Sequence, residues 1–288
     1  MSKIKFITDT ASDLDLEKAE AAGIALLSFS VMVNGNSYQE QRDLSKEEFY
    51  ALMDQASEMP STSQITAFTF QEVFEKYYQE GYTDLIYVSI NSKGSATFQN
   101  AKQARDQLYE EHPEAADKIN IHILDGGNYT ISYGYPILQA AKMAEENKTV
   151  SDILLYLQHW IADIGVYFTP MTLKYVRKSG RLTAAAAFAG EVLGFRPIIH
   201  ISHGEITVSE KIRGEKNIVP KLADKIINVM QENSPYLIIE GSNPAYADQI
   251  QELLIQKTGR PPAYRVKVGS AVSVNAGHDL VAVAVLEK

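Results

Sequence analysis

Short apolar runs alternate with longer amphipathic segments along the first half of the chain. Lys3–Thr8 reads as a buried strand, because it is short, rich in β-branched residues and closed by polar ones. T-D-T-A-S-D follows as a loop, with Asp13 or Asp15 placed to cap a helix through Ala22 that stops at Gly23. Ala25–Val33 reads as one strand, and Asn34-Gly35 as a tight turn of residues that tolerate positive φ. Ser45-Lys46-Glu47-Glu48 has capping-box spacing and opens a helix to about Gln55. After the polar stretch Met59–Gln64 the pattern predicts helix from Ala67 to Glu80, strand over Asp84–Ile90, loop over Asn91–Ser95 and helix over Ala96–Glu111. A strand at Ile119–Leu124 and helices at Ile131–Glu146 and Val150–Ile164 complete this half. Strand, loop and helix in repetition imply βαβ units and a parallel sheet. Ligands of such sheets gather beyond the carboxyl ends of the strands, so the loops after Thr8, Ser89 and Leu124 share one candidate edge.

The second half has a different rhythm. A strand at Val166–Thr169 leads to a helix around Met171–Arg177 and a small-residue segment, Ser179–Gly190. Ile198–Ser202 and Glu205–Lys211 flank His203-Gly204 as a hairpin. A helix over Glu215–Gln231, a strand at Tyr236–Glu240, a helix over Tyr246–Thr258 and strands at Tyr264–Val268 and Leu280–Leu286 follow. The expected fold class is therefore α/β in two domains. Residues 1–165 form an N-terminal parallel-sheet α/β/α domain, and residues 166–288 a C-terminal mixed α/β domain.

Composition narrows the chemistry. The 288 residues, 45% hydrophobic and 22% charged, can build a sizeable core without crosslinks. Cysteine is absent, which removes thiolate catalysis, zinc–thiolate sites and disulfides, and fits a reducing compartment. The net charge is −9 and the densest basic run is K-Y-V-R-K, which argues against a nucleic-acid partner. No stretch approaches the roughly 20 apolar residues of a membrane span, and the first apolar run is too short for a signal peptide. The expectation is a soluble cytoplasmic protein without a transmembrane segment, free to make transient membrane contact.

Several enzyme templates are missing. The sequence holds no phosphate-binding P-loop, no G-x-G-x-x-G, no G-x-S-x-G and no H-E-x-x-H. His200 and His203 are three apart in a hairpin, which suits two opposite faces better than one metal. What stands out is hydroxyls near helix starts, Ser61-Thr62-Ser63 before one and Ser92 with Ser95 before another. Helix N-termini offer free N–H groups and a positive dipole end, so added hydroxyls make a cradle for a carboxylate or phosphate. Plain N-capping explains the same residues, and both readings stand. Asp9 ends the first strand on the ligand edge, where capping its own loop is the simpler reading. The run Ala184–Ala187 with Phe188, Ala189 and Gly190 suits either a helix lying close on a sheet or the lining of a tunnel.

Together these segments resemble the DegV family of bacterial fatty-acid-binding proteins across nearly the whole chain. The matching pieces are I-T-D-T-A-S-D-L at 7–14, S-T-S-Q at 61–64 and N-S-K-G-S-A-T-F-Q-N-A at 91–101. T-L-K-Y-V-R-K-S-G-R-L at 172–182 and R-P-I-I at 196–199, with Gly204 and Arg213, continue in order. The resemblance implies a protein that holds a long-chain fatty acid between its domains, the carboxylate bound by Thr62 and Ser95. It further implies presentation of that acid to a separate ATP-dependent fatty acid kinase. The binding set it suggests is Thr62, Ser95, Asn275, Arg181 and, as a supporting cap, Ser63. No catalytic residue, metal ligand or cofactor is expected beyond the bound acid. An enzyme acting on a small carboxylated or phosphorylated metabolite, or a regulatory lipid sensor without a kinase, are the alternatives. Three departures from the family pattern bear on the headgroup. Asn275 stands where the family has a histidine, Ser179 where it has the first of two glycines, and Gly94 and Ala96 flank Ser95 in place of leucine and glycine. Arg181 is kept, in a role that orders its loop. Because an amide cannot carry positive charge, Asn275 is expected to hold a carboxylate less tightly than histidine would.

Overall fold

A computed structural model describes residues 2–183 and 194–288. The alanine-rich segment read as either close packing or a tunnel wall lies outside the described residues. The first 125 residues carry β1 (Ile4–Asp9), β2 (Ala25–Leu27), β3 (Ser30–Val33), β4 (Asn36–Gln39), β5 (Ser61–Ser63), β6 (Asp84–Ser89) and β7 (Asn120–Asp125). A parallel sheet takes the order β2-β1-β6-β7, and a small antiparallel sheet the order β4-β3-β5. All six residues of β6 are buried, as in a central strand covered on both faces. Around these strands lie α1 (Leu16–Ala21), α2 (Lys46–Gln55), α3 (Ala67–Gln79), α4 (Thr97–Glu111), α5 (Ile131–Glu145) and α6 (Val150–Asp163). The capping box at Ser45 forms as read, Ser45 and Glu48 each bonding the other's backbone N–H.

The remaining strands are β8 (Ile164–Pro170), β9 (Phe195–Ser202), β10 (Glu205–Arg213), β11 (Tyr236–Glu240), β12 (Tyr264–Lys267) and β13 (Leu280–Leu286). They form a mixed sheet, β10-β9-β8-β13-β11-β12, with β11 and β12 parallel and the other pairs antiparallel. His203 and Gly204, both at positive φ, make the tight turn between β9 and β10. The helices here are α7 (Lys174–Lys178), α8 (Ile218–Val229), α9 (Pro244–Thr258) and α10 (Ser270–Ala276). One hydrophobic cluster runs from the parallel sheet into the mixed sheet, and a second packs α8 and α9 on the mixed sheet's other face.

Four elements differ from the sequence reading, the first being β4, a strand where none was expected, paired antiparallel with β3. The single strand expected over Ala25–Val33 is two strands in two sheets. It breaks because Phe29 N–H donates to Thr10 Oγ1 (2.9 Å) and Phe29 C=O accepts from Glu40 N–H (2.9 Å), which turns the backbone out of the first sheet. The polar stretch before α3 contains β5, in which Thr62 pairs with Val31. The hydroxyl run is therefore a strand and not a helix start, and α3 is capped instead by Thr66, whose side chain accepts from Thr69 N–H. Finally, S-A-V-S-V-N-A at 270–276 forms α10, which has no polar face to betray it because five of its seven residues are buried.

What holds α10 comes from the other end of the chain. Glu40 Oε1 accepts from Ser270 Oγ (2.8 Å) and Ala271 N–H (2.9 Å), while Asp13 Oδ1 accepts from Gly269 N–H (2.7 Å). Burial pushes the Asp13 carboxyl well above its ordinary range, Lys46 acting against that shift and Glu40 with it. A Cβ at Gly269 would stand 2.5 Å from Asp13 Oδ1 and 2.6 Å from Glu40 Oε1. Gly269→Ala is therefore expected to cost about 2–3 kcal/mol of stability, by overpacking and lost hydrogen bonds, read as a lower urea midpoint.

Candidate ligand-binding site

The loops after β1, β6 and β7 meet at the carboxyl edge of the parallel sheet and are bonded to one another. Asn91 N–H donates to Asn128 C=O, and Thr130 N–H to Ala11 C=O, each at 3.0 Å. The mixed sheet joins them through Gly204 N–H, which donates to Gly127 C=O (2.8 Å), and through Asn128 Nδ2, which reaches the carbonyls of Ile164 and Ile201. Between the two sheets lies a cavity of about 500 Å³. Its walls are apolar, with Phe29, Ile90, Val166, Phe168, Ile201 and Ile239 among the lining residues. Thr62, Gln64, Ser92, Ser95, Gln99 and Arg181 supply a polar part of the same lining.

Four of the five residues singled out from sequence come together here: Thr62, Ser95, Arg181 and Asn275 all line the cavity. Ser63 does not. Strand alternation gives the reason, because Thr62 is half-buried while its neighbours Ser61 and Ser63 are exposed on the other face. Ser95 answers to both readings of its hydroxyl. Its Oγ accepts from Thr97 N–H (3.3 Å) and lies 2.9 Å from Thr97 Oγ1, yet it remains on the lining. Thr97 is fully buried and accepts in turn from Ile65 N–H, so the start of α4 is fixed against the end of β5.

Two basic residues reach the polar part. Lys93 is paired with Glu205, whereas Arg181 has no ion pair with a carboxylate among the described residues. Burial pushes the Tyr129 hydroxyl up, while its bond from Asn91 and the charge of Arg181 pull it down. Tyr129 in turn packs on Gly94, where a Cβ would collide with the phenol oxygen. Tyr129, Gln64 and Gln99 were not singled out from sequence. The signal for Tyr129 was its position in the loop after β7, on the shared sheet edge.

Asp9 lines up behind the cavity and is not a loop cap. It is fully buried, with Oδ1 accepting from Tyr133 (2.6 Å) and Oδ2 from Tyr87 (2.9 Å) and Ile90 N–H (3.2 Å). Burial raises its carboxyl to about 6, against those three hydrogen bonds. His278 is not on the lining either; it stacks on Tyr50 and bonds Ser242 and Asp54. His200 contacts Glu287 and stacks on Tyr167, a packing role. No group of three or more metal-ligating side chains occurs, and no helix is long and apolar enough to cross a membrane, among the described residues.

Fold and cavity define an α/β protein with an internal chamber whose lining is largely apolar and includes hydroxyl-bearing residues. The DegV family pattern matches residues 3–288, and the chain belongs to that family. A DegV domain-containing protein of Clostridium perfringens is 30% identical over 230 residues, 80% of this chain and 78% of its own. A fatty acid binding DegV family protein from Streptococcus agalactiae shares the fold at a TM-score of 0.88 and 24% identity, with 100% of both chains covered. A stearic acid-binding protein from Eubacterium ventriosum does so at 0.87 and 21%, covering 100% of this chain and 99% of that one.

The Asp9 carboxyl gives the site a pH signature. An aspartate titrates near 3.8 when unperturbed and this one near 6, so its protonated form is favoured by folding. The stability it contributes is present below about pH 4 and lost as pH rises through about 6, on the order of 3 kcal/mol. Urea midpoints measured across that range should fall in the wild type, and Asp9→Asn should flatten that part of the curve.

Proposed function

We propose that the cavity holds a long-chain fatty acid, its carboxylate received by Thr62 and Ser95 and its chain laid along the apolar walls. The observation that carries this reading is a single cavity of about 500 Å³ with both surfaces in it. Hydroxyl donors offset the cost of taking a carboxylate out of water. The tail supplies most of the affinity, at about 0.8 kcal/mol per buried CH₂. The fatty-acid-binding proteins that share the fold support the same ligand class. An enzyme for a small metabolite would leave the apolar walls without a purpose.

In this reading the chain is a carrier and not a catalyst. A separate ATP-dependent fatty acid kinase phosphorylates the acid it presents, a division that suits a sequence without nucleotide-binding motifs.

Native mass spectrometry of protein purified from bacteria should show a co-purifying fatty acid. Delipidated, folded protein that fails to rebind one would refute the proposal. Thr62→Ala and Ser95→Ala should each weaken binding of the acid by roughly tenfold or more. Loaded protein mixed with ATP and a fatty acid kinase should yield acyl-phosphate, and loaded protein with ATP alone should not.

A further inference from the structure

Asn275 sits near the end of α10, and one of its N–H groups is already engaged. Its Nδ2 donates to Ala271 C=O of its own helix (3.3 Å), and its Oδ1 accepts from Ser179 Oγ (3.0 Å). The same Ser179 oxygen accepts from Arg181 N–H (3.2 Å), and Ser179 N–H donates to Tyr175 C=O (2.9 Å). One hydroxyl, buried in a residue only 8% exposed, thus ties the turn at Gly180 both to α10 and to the backbone of Arg181. Ser179 and Asn275 lie 96 residues apart in the chain, and they meet each other. With glycine at 179 the amide oxygen of Asn275 would lose its partner.

We infer that Ser179 and Asn275 form a clasp that fixes Arg181 at the polar part of the cavity, so that the guanidinium, and not residue 275, balances the ligand's negative charge. The inference rests on the fatty-acid reading of the cavity. Its geometry is consistent from two sides. Arg181 and Asn275 both line the cavity, and Lys93, the other basic residue of the lining, is committed to Glu205. A guanidinium can meet both carboxylate oxygens through parallel N–H donors, which a single amide cannot. Ser179 and Asn275 are positioning residues in this scheme, and Arg181 is the ligand contact.

The test compares a fatty acid with its methyl ester, which keeps the chain and removes the charge. Dissociation constants are measured on delipidated full-length protein. Arg181→Gln should weaken the acid by about tenfold or more and leave the ester within about twofold of wild type. Ser179→Ala and Asn275→Ala should each weaken the acid several-fold, the double variant no more than the worse single one, since they break one interaction. Ser179→Thr, which restores a hydroxyl, should recover most of the affinity lost in S179A. Retained ester binding reports that each variant is folded. Additive losses, or equal losses for acid and ester, overturn the clasp while leaving fatty-acid binding intact. A wild type that binds neither ligand overturns the cavity reading and the clasp with it.

Discussion

Glu40 and Asp13, both sealed from solvent, receive the N-terminus of α10 from more than two hundred residues away in the chain. A seven-residue helix of small side chains cannot hold itself together in water. Here its free amides meet acceptors that are themselves buried, and a carboxylate at a helix N-terminus also complements the helix dipole. Removing one member would leave its buried partner to carry a desolvation cost. The cavity depends on it directly, since α10 contributes Ala271, Val272, Asn275 and Ala276 to the lining.

The same carboxylate reaches the opposite wall. Glu40 Oε2 accepts from Thr10 Oγ1 (2.6 Å), and Thr10 Oγ1 accepts from Phe29 N–H (2.9 Å). Phe29 lines the cavity at the point where the chain leaves the parallel sheet. Two walls, one from each end of the sequence, are thereby set by the orientation of one side chain. Asp9 does comparable service further in, where Tyr87, Tyr133 and Ile90 converge on it. The polar interior is thus a frame for an apolar chamber, and the half-buried Thr62 and Ser95 stand on its lining.

Much of this was legible in the residues. β1, β6 and β7 announced themselves as short apolar runs, α2 by its capping box, and the ligand edge by the repeat of strand, loop and helix. Thr62, Ser95, Arg181 and Asn275 were found and do meet in one cavity. The misreadings have a common physical root. Local pattern carries no information about a partner far away in sequence. A-L-L-S-F-S-V-M-V is a continuous strand signal, and only Thr10 and Glu40 break it. S-T-S looks like a helix cap until Val31 pairs with it. α10 lacks an amphipathic period because nearly every side of it is covered, and Asp9 looked like a cap because its three donors lie 78, 81 and 124 residues on.

The long reach of Glu40 also sets an order of events during synthesis. Ser270 and Ala271 emerge from the ribosome 230 and 231 residues after it, a delay of roughly 10–50 s at ordinary elongation rates. Through that interval the parallel sheet can assemble, but the chamber has one wall missing and its frame has unpaired acceptors. A nascent chain therefore has no finished compartment until α10 joins it. Closure of the chamber thus waits on a segment made 230 residues after the side chain that receives it.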